Sequence, residues 1–102
     1  MISYVISDNT DTLVGMRLAG ITGIEVGDKK SAEEEFDRCI HDKNIGILIL
    51  TEEVFAMMQD KVMQEKLKRK FPLIVEIPSR DGMKRDPNYI TDYINRSIGI
   101  KI

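Results

Sequence analysis

The sequence predicts an α/β domain built on a four-stranded parallel sheet with strand order 2-1-3-4. Short apolar runs alternate four times with segments of helical periodicity along the 102 residues, and this alternation is typical of parallel strands joined by right-handed helical crossovers. The run IGILIL at 45–50 is apolar on both faces, as a central strand covered by helices must be. Glu25 and Glu76 stand in the middle of the second and fourth runs, and charges of this kind mark sheet edges.

The first unit begins with a strand over residues 2–7 (ISYVIS), followed by the polar turn SDNTDT. We expect Asp8 or Thr10 to cap a first helix running through TLVGMRLAG, because short oxygen-bearing side chains accept hydrogen bonds from the first helical amides. A short second strand is predicted over residues 23–27 (GIEVG).

A capping box formed by Ser31 and Glu34 predicts the start of the second helix. The acidic triplet 33–35 then falls in the first turn, where the helix dipole favours negative charge. The apolar face of this helix is predicted to consist of Ala32, Phe36, Cys39 and Ile40.

The third unit is the strand 45–50, with Thr51 as the cap of one long third helix. Its apolar face is predicted to carry Val54, Phe55, Met58, Val62 and Leu67. Four basic residues crowd the end of this helix, where the dipole favours positive charge: Lys66, Lys68, Arg69 and Lys70.

The fourth strand is predicted over residues 73–77 (LIVEI) and is followed by a polar loop at 78–85. Asp86 and Pro87 are suited to the N-cap and first turn of a last helix over 86–98, which Gly99 ends. We therefore expect a single domain over residues 1–102, with a βα core at 1–77, the loop and a C-terminal helix.

Composition excludes several classes of protein. A net charge of -2 and a pI near 5.4 argue against a nucleic-acid-binding protein, which usually presents a basic face. The longest apolar run falls far short of the roughly 20 residues that a membrane helix needs. One cysteine cannot form an internal disulfide, which agrees with a reducing compartment. We expect a cytoplasmic protein.

Strand order 2-1-3-4 is that of a flavodoxin-like half sheet, in which ligands bind at the switch point between strands one and three. The turn SDNTDT lies there, but its acids would repel phosphate and it contains no glycine for close approach. A receiver domain would need an aspartate at the end of strand three, where Thr51 stands. We favour the interpretation that residues 8–11 cap the first helix, and keep a receiver-like or flavodoxin-like signalling or ligand-binding domain as the alternative.

Cys39 and His41 are close in sequence, but an offset of two residues places them about 200° apart around a helix, so they cannot act as nucleophile and base. With one cysteine and one histidine, a zinc site has too few soft ligands. We predict no catalytic residue, no cofactor-binding residue and no metal ligand.

Three segments resemble, in order and spacing, the F subunit of V-type and A-type rotary ATPases: DNTDTLVGMRLAGITGIEV, IGILILTEEVF and PLIVEIPSRDG. The resemblance covers nearly the whole chain, and its most specific parts are the L-A-G helix and the E-I-P-S-R run. The matching residues are Thr12, Val14, Gly15, Leu18, Ala19 and Gly20, then Thr51 and Glu52, then Glu76, Ile77, Pro78, Ser79 and Arg80.

The resemblance implies a non-catalytic part of the central stalk, peripheral to the membrane on its cytoplasmic side. Members of this family bind the long coiled coil of the D subunit, and the shaft turns inside the hexamer of A and B subunits, which handles ATP and is coupled to ion transport. The family fold is a small parallel α/β domain with a C-terminal helical segment. No cofactor, nucleic acid or membrane insertion is implied.

The partner surface is predicted at the end of the fourth strand and beyond it. Ile90, Ile94 and Ile98 form a stripe able to dock the last helix on the sheet, and it is flanked by two tyrosines, a residue favoured at interfaces. These tyrosines either contact the partner or pack within the chain. Glu76 either blocks unwanted strand addition or pairs with a basic residue of the shaft. The predicted contact residues are Glu76, Ser79, Arg80, Tyr89 and Tyr93.

Overall fold

The computed structural model describes residues 1–78. The predicted loop beyond Pro78 and the predicted helix 86–98 lie outside the described residues, so the division of the chain into core, loop and last helix stays a prediction. The strands are β1 (Ile2–Ser7), β2 (Thr22–Glu25), β3 (Ile45–Thr51) and β4 (Leu73–Ile77), and the helices are α1 (Thr10–Leu18), α2 (Lys29–Ile40), α3 (Glu52–Met57) and α4 (Gln59–Lys68).

The four strands form one parallel sheet in the order β2-β1-β3-β4, so the predicted fold class is confirmed. In the central register, Ile6 of β1 lies opposite Leu50 of β3, and Leu50 lies opposite Glu76 of β4. Glu25 and Glu76 both stand on edge strands, as their charge predicted. Since the crossovers of parallel strands are right-handed, α1 lies on one face of the sheet and α2, α3 and α4 on the other.

The main core lies on the face that α2, α3 and α4 cover. Alternate residues of β1 and β3 point into it and meet the buried side of the helices. Burying each large side chain of this kind contributes about 1.5–3 kcal/mol. The fully buried members of this cluster are Ile6, Leu48, Leu50, Val54, Val62, Phe36, Ala32 and Cys39, and Phe55 and Met58 are nearly so.

The opposite face is covered less completely by the described residues. Helix α1 has no buried residue, and its Leu18 is 86% exposed. On the same sheet face, Ile47 of β3 lies opposite Leu73 of β4, and these side chains are 38% and 56% exposed. An apolar surface therefore extends over β3 and β4 beside α1.

The single long helix predicted after β3 is wrong, because the structure divides it into α3 and α4. Met58 separates the two with φ -139° and ψ 39°, which are not helical angles. Its side chain is 2% exposed and packs in the core, so tertiary packing overrides a segment in which neither glycine nor proline signals a break. Leu67, predicted on the apolar face, is 73% exposed.

The capping box predicted for the second helix is also wrong. Helix α2 begins at Lys29, and the carboxylate of Asp28 accepts a hydrogen bond from the backbone N–H of Ser31 over 2.7 Å. Asp28 is therefore the N-cap, and this hydrogen bond to the charged form lowers its pKa. The acids 33–35 lie beyond the first turn, where Glu33 and Asp37 face Lys61 of α4 at 4.0 and 2.8 Å.

Candidate functional site at the carboxyl edge of the sheet

The loops that follow β1 and β3 meet at the carboxyl edge of the sheet, at the predicted switch point. Thr51 Oγ1 donates a hydrogen bond to Asp8 Oδ1 over 2.8 Å. Thr51 is fully buried and Asp8 is half-buried, so this bond is partly shielded from water. It fixes the two loops that would form the walls of a ligand crevice in this fold.

Asn9, and neither Asp8 nor Thr10, caps helix α1. Asn9 has extended backbone angles, φ -141° and ψ 153°, and its Oδ1 accepts a hydrogen bond from the N–H of Thr12 over 2.8 Å. Thr10 is already the first helical residue, and its hydroxyl donates instead to Glu25 Oε1 over 2.7 Å. The prediction of a capping turn is therefore confirmed, but the prediction of Asp8 or Thr10 as the capping residue is wrong.

Ser7, the last residue of β1, is fully buried and shapes the same turn. Its hydroxyl donates to the carbonyl oxygen of Asn9 over 2.9 Å and accepts from the N–H of Asn9 over 3.0 Å. Asn9 Nδ2 in turn donates to Asp8 Oδ1 over 3.3 Å. The hydroxyl and amide groups of this turn are thus engaged with one another and with the start of α1.

The end of β3 repeats this arrangement. Thr51 Oγ1 accepts from the N–H of Val54 over 3.4 Å while it donates to Asp8, so one hydroxyl caps α3 and joins the two loops. Glu52 and Glu53 occupy the first turn of α3, where the helix dipole favours negative charge. Glu52 is only 5% exposed.

Acidic groups dominate the chemistry of this edge. Asp8 follows β1, Glu25 ends β2 and Glu52 begins α3, and their charge opposes the binding of phosphate at the helix N-termini. Within residues 1–78, no three side chains of the His, Cys, Asp and Glu types come together as a set of metal ligands. The arrangement supports capping and loop fixation.

Of the five predicted partner residues, the described chain contains Glu76. This residue lies on edge strand β4 opposite Leu50, one register position before the pair formed by Thr51 and Ile77, and it is half-buried. It therefore shares the carboxyl edge with Thr51. Ser79, Arg80, Tyr89 and Tyr93 lie outside the described residues.

Cys39 and His41 have separate environments, as their spacing predicted. Cys39 is fully buried, and burial raises the pKa of its thiol to about 11 despite the nearby Arg38 guanidinium, so it is a neutral core thiol at neutral pH. His41 is exposed and its Nδ1 lies 2.8 Å from the carbonyl oxygen of Asp37. That carbonyl can only accept, so Nδ1 carries the proton.

Sequence reasoning missed the interactions of Arg69. With Nδ1 of His41 protonated, Nε2 accepts from Arg69 Nη2 over 3.2 Å. Arg69 Nε also donates to Glu65 Oε2 over 2.5 Å, and this bond lowers the pKa of Glu65. The pairing of Glu65 with Arg69 could have been predicted from the sequence, because oppositely charged residues four positions apart in a helical segment are neighbours. The contact of Arg69 with His41, which is 28 residues away, could not be predicted from local spacing.

The fold and this edge define a small parallel α/β domain of flavodoxin-like topology whose switch-point loops are joined by capping hydrogen bonds. A family model described as ATP synthase (F/14-kDa) subunit matches residues 4–94. The chain belongs to this family, which confirms the resemblance seen in its sequence.

Individual relatives agree with this assignment. The A-type ATP synthase F subunit of Methanocaldococcus jannaschii is 30% identical over 93 residues, covering 90% of both chains. The corresponding F subunit of Methanothermobacter thermautotrophicus is 31% identical over 94 residues, covering 90% of this chain and 88% of the relative. Among solved structures, the V-type ATP synthase F subunit of Archaeoglobus fulgidus has a TM-score of 0.64 at 21% identity, covering 74% of this chain and 95% of that one, which shows a shared fold.

Within residues 1–78, no helix is both long enough and apolar enough to cross a bilayer.

Proposed function

We propose that this chain is the non-catalytic F subunit of a V-type or A-type rotary ATPase or ATP synthase. In this role it belongs to the rotor, binds the coiled-coil D subunit, and helps to couple ATP turnover in the hexamer of A and B subunits to ion transport. It acts at the cytoplasmic side of the membrane, as a peripheral part of the V1 or A1 sector. The observation that carries the proposal is the family match over residues 4–94.

The hydrogen bonds at the carboxyl edge of the sheet favour a mechanical role for this chain over a catalytic one. The Thr51–Asp8 hydrogen bond and the caps of α1 and α3 tie the switch-point loops to the sheet. A rotor component has to transmit torque without deforming, so loops fixed at both central strands suit it. Each cap of this kind stabilises its helix by about 0.5–2 kcal/mol.

The proposed contacts with the coiled-coil partner are Glu76, Ser79, Arg80, Tyr89 and Tyr93. Glu76 is half-buried on edge strand β4, one residue before the strand ends at Ile77, and we expect the partner to approach it from the side of the sheet. A charged residue at such a position favours correct docking and disfavours strand addition. Tyrosine offers a large apolar area with one polar tip, which suits the central part of an interface.

Size-exclusion chromatography of the chain mixed with the D subunit tests the proposal. The chain of residues 1–102 is expected to co-elute with this partner, and a chain ending at Arg85 is expected to bind more weakly because it lacks both tyrosines. Failure of the full chain to co-elute would count against the proposed function.

Point variants separate binding from folding. Tyr89→Ala together with Tyr93→Ala is expected to weaken co-elution while thermal unfolding stays nearly unchanged, and Tyr4→Phe, in β1, serves as the control. Loss of folding in the double variant would indicate that both tyrosines pack within the chain and do not contact the partner. A Glu76→Lys variant that still binds the coiled-coil partner fully would limit Glu76 to a local role.

A further inference from the structure

The single histidine of the chain joins the ends of two helices. His41 is the C-cap of α2, and Arg69 is the C-cap of α4. His41 Nδ1 donates a hydrogen bond to the carbonyl oxygen of Asp37 over 2.8 Å, and Nε2 accepts one from Arg69 Nη2 over 3.2 Å. Both ring nitrogens are therefore engaged, and the bond from Arg69 requires the neutral form of the imidazole.

Protonation of His41 is incompatible with this bond. An imidazolium carries a proton on each ring nitrogen, so Nε2 no longer has a lone pair with which to accept from Arg69. The guanidinium of an arginine keeps its charge at every physiological pH. Two positive groups would then face each other at short range, which is unfavourable.

Each partner has a second interaction that remains after the bond is lost. Arg69 Nε donates to Glu65 Oε2 on α4, so the guanidinium keeps an anionic partner. The imidazolium would stand at the end of α2, where the helix dipole favours positive charge. The fold therefore accommodates both protonation states of His41, with Arg69 bound in one of them and released in the other.

The remaining charges around His41 come from α2, from the turn after it and from α4. The carboxylate of Asp37 on α2 is paired with Lys61 of α4 over 2.8 Å. Asp42 and Lys43 follow His41 and line the same groove as His41 and Arg69. These neighbours carry both signs of charge, and Arg69 is the one that donates directly to the imidazole.

The residues that follow Arg69 connect α4 to β4, and we call 69–72 the α4–β4 connection. This connection and the end of α2 line a groove of about 410 Å³ at the amino ends of the strands. Lys70 and Phe71 are exposed, so burial contributes little to holding this part of the connection in place. The hydrogen bond between His41 and Arg69 joins the two sides of the chain that form the groove.

We propose that protonation of His41 releases Arg69 and frees the α4–β4 connection from the end of α2, so that the groove changes shape as the pH falls. Histidine is the side chain that ordinarily changes its charge between pH 5 and 8, and this chain has one. The amino end of the sheet is thereby sensitive to acidification. This property does not depend on the proposed function, because it involves neither the carboxyl edge nor the coiled-coil partner.

Tryptophan fluorescence tests the proposal on the full chain. The chain contains no tryptophan, so Phe71→Trp places one reporter in the α4–β4 connection. Its emission is expected to move to longer wavelength in one step as the pH falls from 8 to 5, because the released connection is more exposed to water. Leu18→Trp, at a position 86% exposed on α1, is the control and is expected to show no step.

Variants made in the Phe71→Trp chain identify the groups responsible. His41→Gln is expected to abolish the step, because glutamine does not titrate. The N-terminal amine, which titrates near pH 8, stays in this variant. Arg69→Met is also expected to abolish the step, because it removes the donor that protonation releases. Lys68→Met removes the other basic partner of Glu65 and is expected to leave the step unchanged.

Several outcomes would overturn the proposal. A step that persists in His41→Gln would assign the titration to another group. A step that persists in Arg69→Met would show that the imidazolium acts on the indole directly. Absence of a step in the Phe71→Trp chain, an equal step at position 18, or loss of the helical circular dichroism signal over the same pH range would also contradict it. Failure to bind the coiled-coil partner would bear on the proposed function alone.

Discussion

Thr51 and Asp8 are joined by a hydrogen bond of 2.8 Å between their side chains, although they lie 43 residues apart in the sequence. The same threonine hydroxyl accepts from the N–H of Val54. One buried group therefore uses its proton to join the loops after the two central strands and a lone pair to cap α3. We therefore expect this hydroxyl to contribute more to the free energy of unfolding than the other side-chain hydrogen bonds at the carboxyl edge.

Replacing Thr51 by valine keeps the shape of the side chain and removes the hydroxyl. We expect Thr51→Val to lower the free energy of unfolding by about 1–3 kcal/mol, because Asp8 and the first turn of α3 each lose a shielded partner. Urea denaturation measures this loss. Thr10→Val, which removes the exposed bond to Glu25, is the matched control with an expected loss below about 1 kcal/mol. Equal losses in the two variants would contradict the special role of Thr51.

The identity of the α1 cap can be tested in the same way. Asn9→Ala is expected to cost about 0.5–2 kcal/mol, because the N–H of Thr12 loses its acceptor. Asn9→Ser should retain most of the stability, since serine is also favoured at this position. Chemical denaturation monitored by circular dichroism measures both variants. A neutral Asn9→Ala combined with a costly Thr10→Ala would assign the cap to Thr10.

Two glycines are expected to respond to alanine in opposite directions. A Cβ at Gly23 of β2 would collide with the backbone oxygen and Cγ1 of Val5 on β1, so Gly23→Ala should cost more than about 2 kcal/mol through strain in the sheet. A Cβ at Gly15 in α1 meets nothing within 4 Å, so Gly15→Ala should stabilise by about 0.5–1 kcal/mol. Thermal unfolding of the two variants measures the contrast, and a destabilised Gly15→Ala would contradict the open geometry around α1.

The sequence contained enough information to predict the order of the strands and the full extent of β1 and β4. Apolar alternation located the strands, and the mid-strand charges of Glu25 and Glu76 identified the edges. It contained less information about the helix starts. Asp8, Asn9 and Thr10 can all accept a hydrogen bond from a helical amide, so composition alone does not choose among them, and the backbone angles of Asn9 decide.

The break at Met58 and the contact of His41 with Arg69 depend on tertiary structure. A methionine carries no local signal that ends a helix, and the break follows from its burial in the core. At the candidate site, the switch point was predicted from topology, but the bond between Thr51 and Asp8 requires the strand register to bring both loops to the same height.

The thiol of Cys39 should make stability depend on alkaline pH. Burial raises the pKa of this thiol from 9.0 to about 11, so between these values the folded state holds a proton that the unfolded state has released. The free energy of unfolding must therefore fall as the pH rises from 9 towards 11. Because the pKa of the thiol is about 11 in the folded state and 9.0 in the unfolded state, the free energy of unfolding should fall by about 2 kcal/mol by pH 10.5.

Urea denaturation of the protein and of Cys39→Ala, each at pH 8 and pH 10.5, isolates this contribution. The variant is less stable at both pH values because it leaves a cavity, but it should lose less stability than the parent between them, because it lacks the thiol and keeps Tyr4, whose pKa is also raised by burial. Iodoacetamide at pH 8 should modify the parent only as rapidly as it unfolds, because the native thiol is buried and neutral. Equal pH-dependent losses in the two proteins, or rapid modification of the native protein, would show that the Cys39 thiol ionises in the folded state.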